Sequence, residues 1–237
     1  MTNPDFVLAT DTAQAFATVI KARRSVRAFK PEPASQALLD KVFTLASHSP
    51  SNCNTQPWVT HVASGAALAR LREELPAALM AGQFSMDFPY EGKYPGVYKE
   101  RQQDAATQLF AAMSIQREDK AKRSDAFLRN FTFFDAPHAA FLFMEEGFGL
   151  REATDVGMYA QSLMLSLTAH GLASCPQTAL GFHADIVRNA LGIAPHLKLL
   201  FGISFGFEDA AAAANQCRTA RAPLAQSTVF HGISTST

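Results

Sequence analysis

Apolar residues along this chain recur at helical spacing in several stretches, and in two places they run on almost without a polar partner. Ala13, Phe16, Val19 and Ile20 share one face behind Asp11 or Thr12, which predicts a capped helix ending near Arg23. Leu38, Leu39, Val42, Phe43 and Ala46 repeat in the same way behind Ser35, a second N-cap. Residues 59–63 read as a short strand and 66–75 as a helix. The apolar run 138–143 is a further strand, and the continuous run 197–207 is an interior one. Between them, residues 155–170 carry Met158, Leu163, Met164 and Leu167 on a helix that is apolar almost all round, with Gly171 as its stop. Such a helix is expected to be buried on every side, in the middle of a monomer or of a dimer. The order of helices and strands is mixed, without a βαβ repeat, so the fold class is α+β.

Residues 76–134 break this rhythm. Pro89, Gly92, Pro95 and Gly96 punctuate the first half, and ten aromatic residues from Phe84 to Phe134 crowd the segment. It is too long for an ordinary connection. We read it as an insertion into a single domain spanning 1–237, with a helix over 99–115 that turns Leu109, Ala112 and Met113 inward.

Lys+Arg and Asp+Glu are both 21, and the zero net charge argues against nucleic acid or a membrane surface as the main partner. Arg23, Arg24 and Arg27 form a patch sized for a small anion. The first residues keep Asp5 and Asp11 and do not resemble a signal peptide, and no run reaches the ~20 apolar residues of a membrane span. Cys53, Cys175 and Cys217 have no metal-ligand spacing and are expected to be reduced thiols of a cytoplasmic protein.

No G-x-G-x-x-G follows a strand and no P-loop is present, so any bound phosphate is held by side chains. The arginine fork suits that task. Arg23, Arg24 and Arg27 near one end and Arg218 and Arg221 near the other are the candidates; on their own, the last two read better as a solvated tail. Ser49 to Trp58 is a run of Ser, Pro and Asn closing on the only tryptophan. Alone it reads equally as a turn or as a loop for a flat, partly polar ligand. Cys175 to Leu180 alone reads as an edge strand.

Taken together and in this order, Arg23-x-Ser25-x-Arg27 and Pro50-Ser51-x-x-Asn54-x-Gln56-Pro57-Trp58 closely resemble the flavin-dependent nitroreductase family. Asn215 to Leu224 is similar to its C-terminal N-x-x-R-x-x-R-x-P-L pattern. The resemblance is loosest over 76–134. Iodotyrosine deiodinases share the first motif but place Glu-Pro-Trp where this chain has Gln56-Pro57-Trp58.

The resemblance implies a central mixed or antiparallel sheet surrounded by helices, in a homodimer binding FMN between its subunits. Arg23, Arg24, Ser25 and Arg27, with Arg218 and Arg221, would hold the phosphate. Pro50, Ser51, Asn52, Asn54 and Gln56 would reach the flavin, and Pro176, Gln177, Thr178 and Ala179 would offer backbone groups to its N5 edge. Arg129 or Asn130 is a further possible contact. NADH or NADPH would reduce the flavin, which then reduces a nitroaromatic or quinone in the same pocket. No side chain is expected to act as acid or base, and Cys53 none as nucleophile. Enone reduction, reductive dehalogenation and flavin storage without turnover remain alternatives on the same motifs.

Overall fold

The structure, a computed structural model, describes residues 11–232. Four strands, β1 (Val59–Ser64), β2 (His138–Glu145), β3 (Ala173–Gln177) and β4 (Leu197–Gly206), form an antiparallel sheet in the order β1-β2-β4-β3. The two continuous apolar runs are the two interior strands. Side chains alternate across a strand, and β2 shows why it has no polar alternation. Ala139, Phe141 and Phe143 enter one core cluster, while Ala140, Leu142 and Met144 enter the other. Both faces are therefore covered.

The helices are α1 (Thr12–Ala22), α2 (Gln36–Ala46), α3 (Gly65–Met80), α4 (Gly96–Ala112), α5 (Lys120–Leu128), α6 (Leu150–Ala169) and α7 (Ala184–Leu191). α2 and α6 cover one face of the sheet, and α3 and α7 the other, together with Phe131, Phe133 and Phe134. Ser35 caps α2 as expected, its Oγ accepting from Leu38 N at 3.3 Å. Asp11 stands at the start of α1 without such a bond. Gly202 of β4 lets the chain after β3 lie close: a Cβ there would sit 2.6 Å from Leu180 Cδ1. Burying that turn against β4 fixes the depth of the residues that follow Pro176.

Several elements differ from expectation. α3 does not stop at Leu75 but runs through Pro76 to Met80. Leu68, Leu71, Leu75 and Ala78 are all buried, and that apolar stripe outweighs the ~3 kcal/mol cost of an internal proline. The irregular segment therefore begins at Ala81. α4 spans Gly96–Ala112 and buries none of its residues, Leu109 and Ala112 included. α6 begins a turn earlier than expected, its Gly149 N donating to Glu152 Oε2 at 2.8 Å. It is not buried on all sides, since Met158 and Gln161 face outward. α5 and α7 were not foreseen.

Residues 83–90 are docked onto α7 and β4 by polar groups. Arg188 donates to both oxygens of Asp87, at 2.6 and 3.0 Å, and Leu199 N donates to Asp87 Oδ2 at 2.7 Å. Both side chains of this pair are over 90% buried.

His138, at the head of β2, is 3% exposed. Its Nε2 accepts from Ala34 N at 2.9 Å, which leaves Nδ1–H to donate to Ser64 Oγ. Its ring stacks on Phe205. Burial lowers its pKa, as it does those of His61 and His183. Unfolded, these histidines titrate near 6.5. Their stabilising contribution is thus complete above about pH 6.5 and is lost as pH falls from there toward the lower folded values. The midpoint of thermal unfolding should therefore drop between about pH 7 and 5. A flat profile over that range would show that the imidazoles charge freely in the folded protein.

Candidate functional site

The arginines at the two ends of the chain come together. A cleft of about 620 Å³ is lined by Arg23, Arg24, Ser25 and Arg27 after α1, by Arg218 and Arg221, and by Gln161 of α6. Two anchors hold the N-terminal stretch in place. Val26 N donates to Ser174 O at 3.0 Å, laying this segment along the outer edge of β3. Arg27 N donates to Asn215 Oδ1 at 2.7 Å, and Asn215 Nδ2 donates to Ala28 O and Asp209 O, both at 2.8 Å. Asn215 is 2% exposed, so this buried amide joins the first arginine stretch to the second.

Among the described residues, no carboxylate forms an ion pair with Arg23, Arg27, Arg218 or Arg221. Burial pushes the Arg23 guanidinium below its usual pKa, and the like charge of Arg221 pushes the same way. Facing cations without counter-charges are costly to keep unless an anion enters. A phosphate monoester, with about −1.5 to −2 charges, fits this donor set. Arg24 differs: its guanidinium pairs with Glu208, so its side chain is committed to the wall rather than to the cleft. Cys175 behind the cleft is inert, burial raising its thiol to about 11 despite nearby Arg27 and Arg23.

The loop after α2 is held in an unusual shape. Cys53, Asn54 and Gln56 all have positive φ, between 50° and 57°, a region costly for non-glycine residues. Internal bonds offset that cost. Gln56 N donates to Ser51 Oγ at 2.9 Å, and Asn52 N donates to Asp155 Oδ2 at 3.0 Å. One turn along α6 from Asp155, Tyr159 stacks on Trp58 with centroids 4.9 Å apart. Pro57 is buried, while the side chains of Asn52, Asn54 and Gln56 are exposed. In the single chain these loop residues do not line the arginine cleft.

At the end of β3, Pro176 sits on the edge strand, where a missing N–H is tolerated. Gln177 is 3% exposed. Its Nε2 donates to Asn130 O at 2.8 Å and to Asn130 Oδ1 at 3.3 Å, and its Oε1 accepts from Ser204 Oγ. The Gln177 side chain is thus spent internally, leaving only its backbone for a ligand. Asn130 and Arg129 are engaged as well, Arg129 with Asp135 at 3.0 Å.

The Nitroreductase family profile matches residues 20–207. The chain belongs to the nitroreductase family. It is 47% identical over 221 residues to nitroreductase NfnB of Mycolicibacterium smegmatis, covering 93% of this chain and 94% of that one. It is 30% identical over 223 residues to a 4-nitrobenzoate reductase of Pseudomonas putida, covering 92% and 96%. Among solved structures, the FMN-dependent NfnB from Mycobacterium smegmatis in complex with NADPH superposes with a TM-score of 0.90 over 93% of this chain and all of that one.

Asp155, under the signature loop, was not singled out from sequence, and Asn215 heads the C-terminal pattern but was given no role of its own. Both act by accepting from or donating to backbone, and spacing alone does not reveal such partners. Asp155 is 5% exposed. Asp155→Ala strands Asn52 N and removes a bond to a charged acceptor, a loss of about 1.5–3 kcal/mol in loop stability. Faster proteolytic nicking within 51–56 is expected. Asp155→Asn, which keeps an acceptor oxygen, should recover most of the resistance. Equal nicking rates in Asp155→Ala and the parent protein would show that the loop holds itself.

Proposed function

We propose that this chain is an FMN-dependent NAD(P)H nitroreductase acting on nitroaromatic compounds. The observation that carries the reading is the cleft of four arginines without carboxylate partners, in a chain whose relatives are named nitroreductases. When bound, FMN supplies hydride and electron transfer between the nicotinamide donor and the acceptor. The chain's own contribution is to bind and orient. Arg23, Arg27 and Arg221 would take the phosphate, with Arg218 beside them. The backbone of Pro176 to Ala179, at the open end of an edge strand, would face the ring. The loop of Pro50, Ser51, Asn52, Asn54 and Gln56 would cover it.

The same reading includes a homodimer with a shared site. The loop does not reach the arginine cleft within one chain, as a site completed by a second copy requires. Phe16 and Ile20 of α1, and Leu224, Val229 and Phe230 of the tail, are exposed apolar side chains, and Ile20 lines that cleft. Residues 81–134, with Phe84 and Tyr90 packed at the surface on Phe182, would form the rim that selects flat aromatic acceptors. No helix among the described residues is long and apolar enough to cross a membrane. With three free cysteines, a cytoplasmic location fits.

The test is kinetic. Initial rates with NADPH or NADH against 4-nitrobenzoate should give parallel double-reciprocal lines, as two substrates sharing one site must. Intersecting lines would contradict the shared site. Failure of both donors to bleach the flavin would favour a storage protein.

A further inference from the structure

The amide of Gln177 closes a buried clamp between the sheet and the end of the insertion. Its Oε1 accepts from Ser204 Oγ on the interior strand β4, and its Nε2 donates to Asn130 O and Oδ1 just after α5. Ser204 is fully buried and Gln177 nearly so. Asn130 is itself tied down, its Nδ2 donating to Phe127 O at 2.9 Å. The turn that follows is strained. Phe133, Phe134 and Asp135 hold three successive positive φ angles, of 61°, 54° and 66°, each costly for a non-glycine residue. Arg72 braces the turn by donating to Ala136 O at 2.8 Å and to Thr132 O at 3.3 Å. Strain of this kind persists only where the surroundings over-determine it, and the braced turn holds Asn130 against Gln177.

What the clamp holds is the outer edge of β3. Ser25 bridges to Ser174 on that edge, so the strand begins beside the arginine cleft. Cys175 still lies in the field of Arg27 and Arg23. Gln177 comes three residues after Ser174, about 10 Å along the strand, and ends it. One strand thus runs from the phosphate arginines to the backbone read as facing the flavin ring.

We infer that Gln177 is a positioning residue: clamped by Ser204 and Asn130, its side chain aims the peptide N–H groups of residues 177–179 at flavin N5 and thereby sets the reduction potential of bound FMN. The inference rests on the proposed FMN site and adds to it what tunes the cofactor. A peptide N–H aimed at N5 finds an acceptor there only while the ring is oxidised, because N5 carries a hydrogen after reduction. Loosening that N–H weakens binding of the oxidised form and raises the midpoint potential.

The experiment measures the midpoint potential of the FMN-saturated protein, with the dissociation constant of oxidised FMN beside it. Gln177→Met, of similar shape without the amide, and Ser204→Ala should each weaken oxidised FMN about three- to tenfold, the loss of one hydrogen bond. The potential should rise by the same factor, about 15–30 mV for a two-electron couple. Ser204→Thr keeps the hydroxyl and should keep the parent potential. Ser64→Ala removes a comparable bond, to His138, on the opposite edge strand; it should lower the unfolding midpoint without moving the potential. Potentials in Gln177→Met and Ser204→Ala that match the parent or fall below it, or that rise equally in Ser64→Ala, overturn the inference. Failure of the proposed FMN site reads differently, since the parent protein would then retain no flavin to titrate.

Discussion

Replacing Arg23, Arg27 or Arg221 by alanine is expected to leave a folded protein that loses its flavin on dialysis. Each change deletes a charge-assisted bond to phosphate worth about 1.5–3 kcal/mol, a roughly tenfold to hundredfold loss in affinity. The fold should not suffer, because these guanidiniums have no carboxylate partner to strand. Arg23 and Arg221 repel each other, so Arg221→Ala should leave the flavin-free protein at least as stable as the parent. Absorbance of retained flavin, set beside the unfolding midpoint of the flavin-free form, separates the two effects. Arg24→Ala provides the contrast: it breaks the pair with Glu208 and acts on the wall of the cleft. Full flavin occupancy in all three main variants would remove the phosphate from this cleft.

Arg188→Ala should have the largest effect on stability. It leaves the Asp87 carboxylate over 90% buried with a single remaining donor, Leu199 N. Breaking a buried pair from one side costs about 3–5 kcal/mol, which for a chain of this size lowers the unfolding midpoint by on the order of 10 °C. The paired replacement Arg188→Met with Asp87→Leu should recover much of it, since no charge is then stranded. A loss below about 1 kcal/mol would mean that segment 83–90 is held by its aromatic contacts alone.

What could be read from the sequence divides along a physical line. α2, β2 and β4 were legible because their cues are local: a serine cap, and apolar runs that only a doubly covered strand tolerates. α7 was not, although it is amphipathic, because it is short and its Arg188 finds its main partner 101 positions away. α3 was cut short by a proline rule that a buried leucine stripe overrides. In the site, the arginines and the loop were legible as side chains at fixed spacing. Asp155 was not, because it acts on backbone from a distant element, and Asn215 was legible as the head of the C-terminal pattern but its joining role was not. Gln177 was placed correctly on β3, but only the structure shows its amide to be consumed by Asn130 and Ser204.

The amide of Asn215 joins residues 188 positions apart, and this has a consequence for synthesis on the ribosome. The sheet needs nothing beyond β4, which ends at Gly206, and can pair once that strand has emerged. The arginine cleft cannot close until Arg218 and Arg221 have followed it. A nascent chain therefore acquires its packed core first and its arginine cleft last, so flavin capture by the proposed phosphate site would report that translation has passed the second arginine stretch.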